Sequence, residues 1–345
     1  MNMIFKADDD QNLDKVHRRF VDAMAAEGAY FRRDFLRYIA KVLNSVSDSQ
    51  IRKWIADKDL QGFLKYTRQY LDEFAVRVTK TFRKAAEDEI ERLQAPGLFG
   101  LGKEKVAFNP GNSRAVAAAN RSKYRLIREI TDSQRKAIKA AIEDSIRRGA
   151  GPLDAARTFR NSIGLTENQY RAVNNYRDLL ERGSFEALDR ELRDKRFDRT
   201  VGRVVDAVEQ GEKNFLTKDQ IDKMTLRYAE NMRRYRSETI ARTETMRTMN
   251  AAKQESFKQM ADALGIDHAD VERTWVATLD SKTRDTHAEM NRETVVGIDT
   301  PFTSPSGEEL MYPGDPTASG DETINCRCTM VVKFPRSKMR YANVE

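Results

Sequence analysis

The stretch from Asp219 to Leu264 runs for 46 residues without a glycine or a proline. Those two residues are the strongest helix breakers, so the stretch favours one long helix. At 1.5 Å per residue, a single straight helix of this size is about 70 Å long. We expect it to end at Gly265, which suits a helix C-cap, and to break near Ser237. Any fold of this chain must be built around this element.

The first ninety residues also read as helices. Apolar residues recur at helical spacing between Leu13 and Leu93, and Ser47 with Gln50 forms a capping box. Glycine and proline then mark a loop over residues 95–112. Within it Gly97, Gly102 and Lys103 imitate a P-loop, but the next residue is Glu104, where a magnesium-binding Ser or Thr is required. A plain glycine loop is therefore the better interpretation.

Three further helix starts share one pattern, a threonine followed three residues later by a glutamine. The threonines are Thr131, Thr166 and Thr217. In each case the two side chains can satisfy each other's backbone amides, which predicts an N-cap at each threonine.

The secondary-structure preference of the sequence changes after Gly265. Residues 271–279, 294–298 and 329–334 are β-prone, and residues 301–320 between them are rich in Gly, Pro and Ser. We therefore expect a mainly α protein with an elongated helical body and a small C-terminal α+β module. Its domains are a helical region with its Gly/Pro loop (1–112), a helical lead-in with the long helix (113–265) and the module (266–345).

Charge is unevenly distributed along the 345 residues. Residues 266–345 have a net charge of −5, whereas the rest carries +12, for a total of +7. A basic surface attracts nucleic acid. A well-solvated helical surface explains the same composition, because acidic and basic residues alternate. The sequence has no long apolar run and no signal-peptide pattern, and its two cysteines do not form a secreted disulfide framework, so we expect a protein made in a reducing cytoplasm without a membrane anchor.

Chemically capable residues gather near the C-terminus. If residues 281–290 are helical, Asp280, Arg284 and His287 share one face. Such a group suits phosphate handling, or it connects a strand end to a helix through hydrogen bonds, and we favour the structural role. No catalytic residue is assigned.

Cys326 and Cys328 flank one arginine just before the last predicted strand. With His287 they could ligate zinc, and Asp280 could supply a fourth ligand. A Cys-x-Cys disulfide is strained, a cysteine nucleophile has little support, and two small buried thiols on one strand face remain an alternative. No other cofactor is expected.

Two residues of the long helix, Arg242 and Glu244, are expected to join a structural network with Trp275, Asp280 and Arg284. Because the module is acidic and the helix basic, we expect Arg242 to pair with an acidic group of the module. His17 lies among basic residues and is expected to be solvated.

Several of these motifs occur in a characteristic order: Ala241-Arg242-Thr243-Glu244, the segment from Trp275 to His287, and Asn325-Cys326-Arg327-Cys328. In this order the chain resembles the Mu F-like head-morphogenesis family of tailed bacteriophages, over roughly residues 130–335. The resemblance implies a minor head protein located in the capsid interior near the portal vertex. The pattern itself establishes no enzymatic activity, and we expect a protein that is not an enzyme.

The resemblance also implies partners. These are the portal protein and packaged double-stranded DNA, bound without sequence preference, with the major capsid or scaffold protein as further candidates. The alternative is a nuclease- or toxin-like enzyme built on the C-terminal module, because Asp280, Arg284 and His287 could serve phosphodiester or nucleotide chemistry.

Overall fold

The computed structural model of the protein describes residues 7–94 and 106–335, with side chains from residue 13 onward. The glycine-rich segment from Gly97 to Lys103 lies outside the described residues. Ten α-helices are present in the described ranges: α1 (Ala7–Ser45), α2 (Asp48–Ala56), α3 (Leu60–Gln94), α4 (Ser113–Arg147), α5 (Pro152–Ser162), α6 (Glu167–Arg182), α7 (Asp198–Glu209), α8 (Lys218–Leu264), α9 (Asp285–Glu289) and α10 (Gly320–Thr323). No helix among the described residues qualifies as a membrane-spanning segment.

The long helix predicted from the lack of glycine and proline is confirmed as α8. It is unbroken, so the break expected near Ser237 is wrong. The Ser237 hydroxyl donates to the Arg234 carbonyl 2.6 Å away, one turn earlier, and the helix continues past it. Such a side-chain bond is compatible with helical backbone.

All described strands lie in the last quarter of the chain: β1 (Glu272–Val276), β2 (Thr294–Val296), β3 (Phe302–Thr303), β4 (Glu309–Leu310) and β5 (Thr329–Lys333). β1 is the central strand of a three-stranded antiparallel sheet with the order β2-β1-β5. β3 and β4 form a separate hairpin. A mainly α protein with a small C-terminal α+β module is therefore confirmed.

The chain forms two compact units, each made of discontinuous segments. One contains residues 1–32, 75–126 and 239–345, and the other contains residues 33–74 and 127–238. This division differs from the three consecutive regions expected from the sequence. The reason is that α1, α3, α4 and α8 each contribute residues to both units, whereas changes in composition only mark loops between elements.

Each unit has its own hydrophobic core. In the unit containing the C-terminal module, Phe20, Phe82 and Phe257 from three helices pack in one cluster with Trp275 and Met330 of the sheet. One core cluster of the other unit is formed by α4, α6, α7 and the first part of α8, and includes Tyr176 and Tyr228, whose rings stack 4.5 Å apart.

The threonine-glutamine pattern is correct at two of its three positions. Thr166 and Gln169 form a capping box at the start of α6, and Thr217 accepts the Gln220 amide at the start of α8. At Thr131 the prediction is wrong, because α4 runs through this position and the Thr131 hydroxyl donates to the Ile127 carbonyl at 2.8 Å. The local pattern is present, but helical residues on both sides leave no free amide for it to cap.

This contrast gives a matched pair of substitutions. We expect Thr166→Ala to lower the free energy of unfolding by about 1 kcal/mol, because an N-cap is lost. Thr131→Ala should change it by less than about 0.5 kcal/mol, since a mid-helix Ala is favourable. Urea denaturation of both variants tests this, and equal losses would contradict the capping assignment.

A buried lysine connects α8 to the last strand. The Nζ of Lys253 donates to the Thr329 hydroxyl at 3.0 Å and to the Met330 carbonyl at 3.1 Å, and lies 3.7 Å from the Glu89 carboxylate. Burial lowers the pKa of Lys253 to about 8, although Glu89 opposes the shift. In the unfolded chain this pKa returns to about 10.4.

The lowered pKa of Lys253 predicts a pH dependence. Between pH 8 and pH 10 the unfolded state binds more protons at Lys253 than the folded state, so the free energy of unfolding should rise with pH, by roughly 2 kcal/mol. Below pH 8 both states are protonated and this contribution is flat. Urea denaturation across this range, with Lys253→Met as the reference, isolates the contribution. Parallel pH profiles for the two proteins would contradict it.

Candidate metal centre

Three side chains converge in the interior of the module. His287 lies on α9, and Cys326 and Cys328 lie on the short segment between α10 and β5. Their exposed fractions are 1%, 3% and 2%. The His287 Nδ1 is 3.5 Å from the Sγ of each cysteine. The structure therefore brings together the three residues that the sequence predicted as metal ligands, with their donor atoms within 4.8 Å of one another.

The other ring nitrogen of His287 faces a carboxylate. Its Nε2 lies 2.9 Å from Oε2 of Glu322, a residue of α10 that is 4% exposed. The same carboxylate accepts the hydroxyls of Ser304, Ser306 and Thr286. The His287 Nε2 and the Glu322 Oε2 are close, but their alignment does not make a hydrogen bond, so Glu322 acts on the imidazole through its charge.

Aromatic rings cover the centre. The Trp275 ring, fully buried on β1, meets the His287 ring edge to face at 5.4 Å, and the Phe302 ring contacts the Trp275 ring at the same distance. The backbone amide of Cys328 donates to the Cys326 sulfur at 3.3 Å. These contacts hold the donor atoms in a dry environment, where charge interactions are strong.

The thiols and the imidazole influence each other's protonation. Hydrogen bonding from Cys328 lowers the pKa of Cys326 well below its ordinary value, and His287 adds to this effect against the opposing influence of burial. Burial disfavours the His287 imidazolium, but Cys326 and Glu322 outweigh it and raise the pKa of His287. The cluster thus favours a thiolate at Cys326, the form in which cysteine binds metals.

The proposed helical face of Asp280, Arg284 and His287 is wrong. α9 starts only at Asp285, with Arg284 as its N-cap, so the three residues do not share a helix. The Asp280 carboxylate instead accepts both Nη atoms of Arg327 at 2.6 Å. It is therefore engaged by Arg327, and the idea that it supplies a fourth metal ligand has no support in this geometry.

Arg284 and Arg242 both reach the segment before the cysteines. Arg284 donates to the Ile324 carbonyl at 2.5 Å. Arg242 donates to the side-chain oxygen of Asn325 at 3.2 Å. Arg242 thus contacts the module as expected, but through an amide and not through an acidic group. The backbone of Asn325 is left-handed with a φ of 59°, which suits asparagine and turns the chain toward the cysteines.

Glu244 forms a buried charge cluster. Its carboxylate lies 2.8 Å from Nη2 of Arg125 and 3.0 Å from Nη1 of Arg247, and Arg247 in turn donates to the Thr323 hydroxyl of α10 at 2.8 Å. Burial opposes ionisation, but the two guanidinium groups hold the pKa of Glu244 below its ordinary value. Glu244 therefore helps to position the helix that carries Glu322.

Sequence reasoning missed several residues of this module. Asn250 of α8 is fully buried and donates to the carbonyls of Pro313 and Cys328, both at 3.0 Å. His17, expected in solvent, is partly buried and lies 2.9 Å from the Thr278 hydroxyl. Both sets of contacts join residues far apart in the chain, so no local sequence pattern predicts them.

Part of the chain matches a known protein family. Residues 200–331 match the family model described as Phage Mu protein F like protein. The chain is also 34% identical over 96 residues to NAD(+)--arginine ADP-ribosyltransferase EFV of Enterococcus faecalis, which is 27% of this chain and 18% of that protein. It is 32% identical over 110 residues to Uncharacterized protein YqbB of Bacillus subtilis, which is 31% of this chain and 33% of that protein.

These alignments span a third or less of the length of the two curated relatives. No solved structure matches the chain. The family match contains His287, both cysteines and Glu322, the residues that the structure assembles in one centre. The family match covers residues 200–331, less than half of the 345-residue chain, and over these residues the chain is similar to phage Mu protein F-like proteins.

Proposed function

We propose that the protein is a minor head protein of a tailed bacteriophage or prophage, which enters the procapsid near the portal and contacts the packaged DNA. The observation that carries the proposal is the family match over residues 200–331, which supports a phage head protein. Location near the portal and contact with DNA go beyond that match.

Charge supports the DNA part of the proposal. The chain carries 61 Lys and Arg against 54 Asp and Glu, and the acidic excess of residues 266–345 leaves the basic excess to the helical residues before them. The described residues contain no zinc-finger pattern or other element typical of base readout, so contact would be to phosphates. Binding of this kind is independent of sequence and weakens steeply with salt.

A binding assay tests the DNA part. The purified chain is titrated with two fluorescent duplexes of equal length and unrelated sequence at several salt concentrations. We expect equal affinities for the two duplexes and a linear decrease of the logarithm of affinity with the logarithm of salt concentration. Lack of binding at low salt, or a strong preference for one duplex, would contradict it.

A pull-down tests the portal part. Portal rings from the same phage or prophage are immobilised and incubated with the full chain, with the major capsid protein as a second bait. We expect retention by the portal rings at a salt concentration that releases DNA. Retention by neither bait would contradict the proposal, and retention by the capsid protein alone would move the contact away from the portal.

The name of the Enterococcus relative raises an enzymatic alternative. That protein is named as an NAD(+)--arginine ADP-ribosyltransferase, but only 18% of its length is aligned. We propose that the present chain is not an enzyme. Incubation with labelled NAD and an arginine-rich acceptor should give no transfer above the level of the His287→Gln variant. Transfer that the wild type performs and the variant loses would favour the enzyme.

A further inference from the structure

We propose that His287, Cys326 and Cys328 bind a zinc ion that joins α9 to the segment before β5. Cys326 and Cys328 follow His287 by 39 and 41 positions in the chain, so the three ligands come from two separate segments. A single ion between them would fix the closing strand of the sheet against the helix that precedes β2. This inference goes beyond the proposed head function and does not depend on it.

The distances fit a tetrahedral ion. With Zn–S at about 2.3 Å, Zn–N at about 2.0 Å and tetrahedral angles, the sulfur and nitrogen ligands of one zinc lie about 3.5 Å apart. The Nδ1 of His287 is 3.5 Å from both sulfurs. Both nitrogen–sulfur separations therefore already match those of shared coordination.

Glu322 faces the ring nitrogen of His287 that does not point at the cysteines. A metal-ligating histidine usually donates its other N–H to a carboxylate, which fixes the tautomer and the ring orientation. Here Nε2 of His287 lies 2.9 Å from Glu322, and the serines and threonine around that carboxylate hold it in place.

The donor set and its charge select the ion. Two thiolates and one imidazole are soft and borderline ligands, which suit zinc and do not suit magnesium or calcium. Two thiolates also balance the two positive charges of Zn²⁺, so a neutral unit is buried and the desolvation cost is limited. Within the described part of the chain no further His, Cys, Asp or Glu joins the group. The three side chains therefore supply three of the four ligands of a tetrahedral zinc.

Two alternatives to a zinc site, a disulfide and a nucleophilic cysteine, fit the geometry of these side chains less well. A disulfide between Cys326 and Cys328 would close a strained small ring. A nucleophilic cysteine activated by His287 and Glu322 must reach a substrate, whereas the two cysteines are 3% and 2% exposed. Burial that excludes a substrate is compatible with an ion that enters during folding.

The test measures metal directly. The full chain is purified without chelator, and its zinc content is determined by mass spectrometry. We expect one zinc per chain, and loss of zinc in Cys326→Ser, Cys328→Ser and His287→Gln. Asp280→Asn should keep the metal, because Asp280 pairs with Arg327 outside the cluster. Less than a tenth of a zinc per chain, even after refolding with excess zinc, would overturn the proposal.

Cobalt supplies a second measurement that does not depend on a variant. The chain has only two cysteines, so thiolate-to-cobalt charge-transfer absorption can arise from this centre alone. We expect that absorption after exchange of zinc for cobalt, and we expect a strong chelator to lower the melting temperature in a way that added zinc reverses. Absence of both effects would overturn the proposal, even if the cysteine variants fail to fold.

Glu322→Gln tests the positioning role of the carboxylate. The amide keeps the size of the side chain but loses the charge that faces His287. We expect a 10- to 100-fold loss of zinc affinity in competition with a chromophoric chelator, without loss of the one-to-one ratio at saturation. Unchanged affinity would show that Glu322 does not orient the ligand.

Discussion

Replacing Arg273 with methionine should lower the free energy of unfolding by about 3–5 kcal/mol, which is the range of the most damaging single substitutions. Arg273 lies on β1 and is fully buried. Burial lowers its pKa to about 10, so the side chain is still a cation at neutral pH. Within the described residues no carboxylate forms an ion pair with it.

Arg273 is held by neutral oxygens instead. Its guanidinium donates to the carbonyls of Gly297 at 3.1 Å and Met311 at 2.6 Å, to the side-chain oxygen of Gln254 at 3.2 Å, and to the carbonyl of Thr300. These acceptors come from α8 and from the loops after β2 and β4. The Arg273 side chain therefore connects these three segments to β1. Methionine fills the space but donates nothing, and each buried acceptor left without a donor costs about 1–3 kcal/mol.

The measurement uses the module's own tryptophan. The chain has two tryptophans, so in a Trp54→Phe background Trp275 alone reports urea denaturation of the module. Lys282→Met, an exposed cation of the same module, is the control and should change the free energy of unfolding by less than about 0.5 kcal/mol. Arg273→Lys should recover little, because one ammonium cannot reproduce the guanidinium fork. Equal stability of Arg273→Met and Lys282→Met would contradict the role of Arg273 in connecting these segments.

Removal of Glu244 is the second large effect that we expect. Its side chain is 4% exposed, and those of its partners Arg125 and Arg247 are each 10% exposed. Glu244→Ala leaves two buried guanidinium groups without this carboxylate, and breaking a buried ion pair in this way costs about 3–5 kcal/mol.

An exposed ion pair supplies the control for Glu244. Asp299 pairs with Lys258 at 2.6 Å, but its side chain is 63% exposed. Asp299→Ala should cost less than about 1 kcal/mol, because solvent screens the pair. Glu244→Gln keeps an acceptor without the charge and should lie between the two. Urea denaturation of the three variants measures these losses in the free energy of unfolding. A Glu244→Ala effect as small as that of Asp299→Ala would show that the cluster is not a stabilising element.

Local features of the fold were predictable because their signals are local. The length of α8 follows from the absence of glycine and proline, and the caps at Ser47, Thr166 and Thr217 follow from a four-residue pattern. Thr131 carries the same pattern inside α4, where the surrounding helix overrides it. The division into two compact units was not predictable in this way, because it depends on how distant segments pack.

The metal centre was predictable in part. Two cysteines and a histidine in the last fifth of the chain are rare residues close together, and they do meet. The prediction of one helical face for Asp280, Arg284 and His287 was wrong, because the helix begins one residue after Arg284. Glu322 could not be identified, because its position opposite His287 depends on where α10 packs.

The sequence does carry a signal for the structural role of Arg273. Alternation along a strand places residues 273 and 275 on the same side, and Trp275 marks that side as buried. A charged residue on the buried side of a strand requires several partners, which makes it a candidate for a structural latch.

Targeted mass spectrometry of particles is the most direct test of the proposed role. Procapsids and mature heads of the phage or prophage that encodes this chain are purified, and the chain is quantified against the portal and major capsid proteins. We predict that the chain is present in procapsids at a copy number far below that of the major capsid protein. Its absence from both particles, with the whole pool remaining free in the lysate, would contradict a role as a head protein.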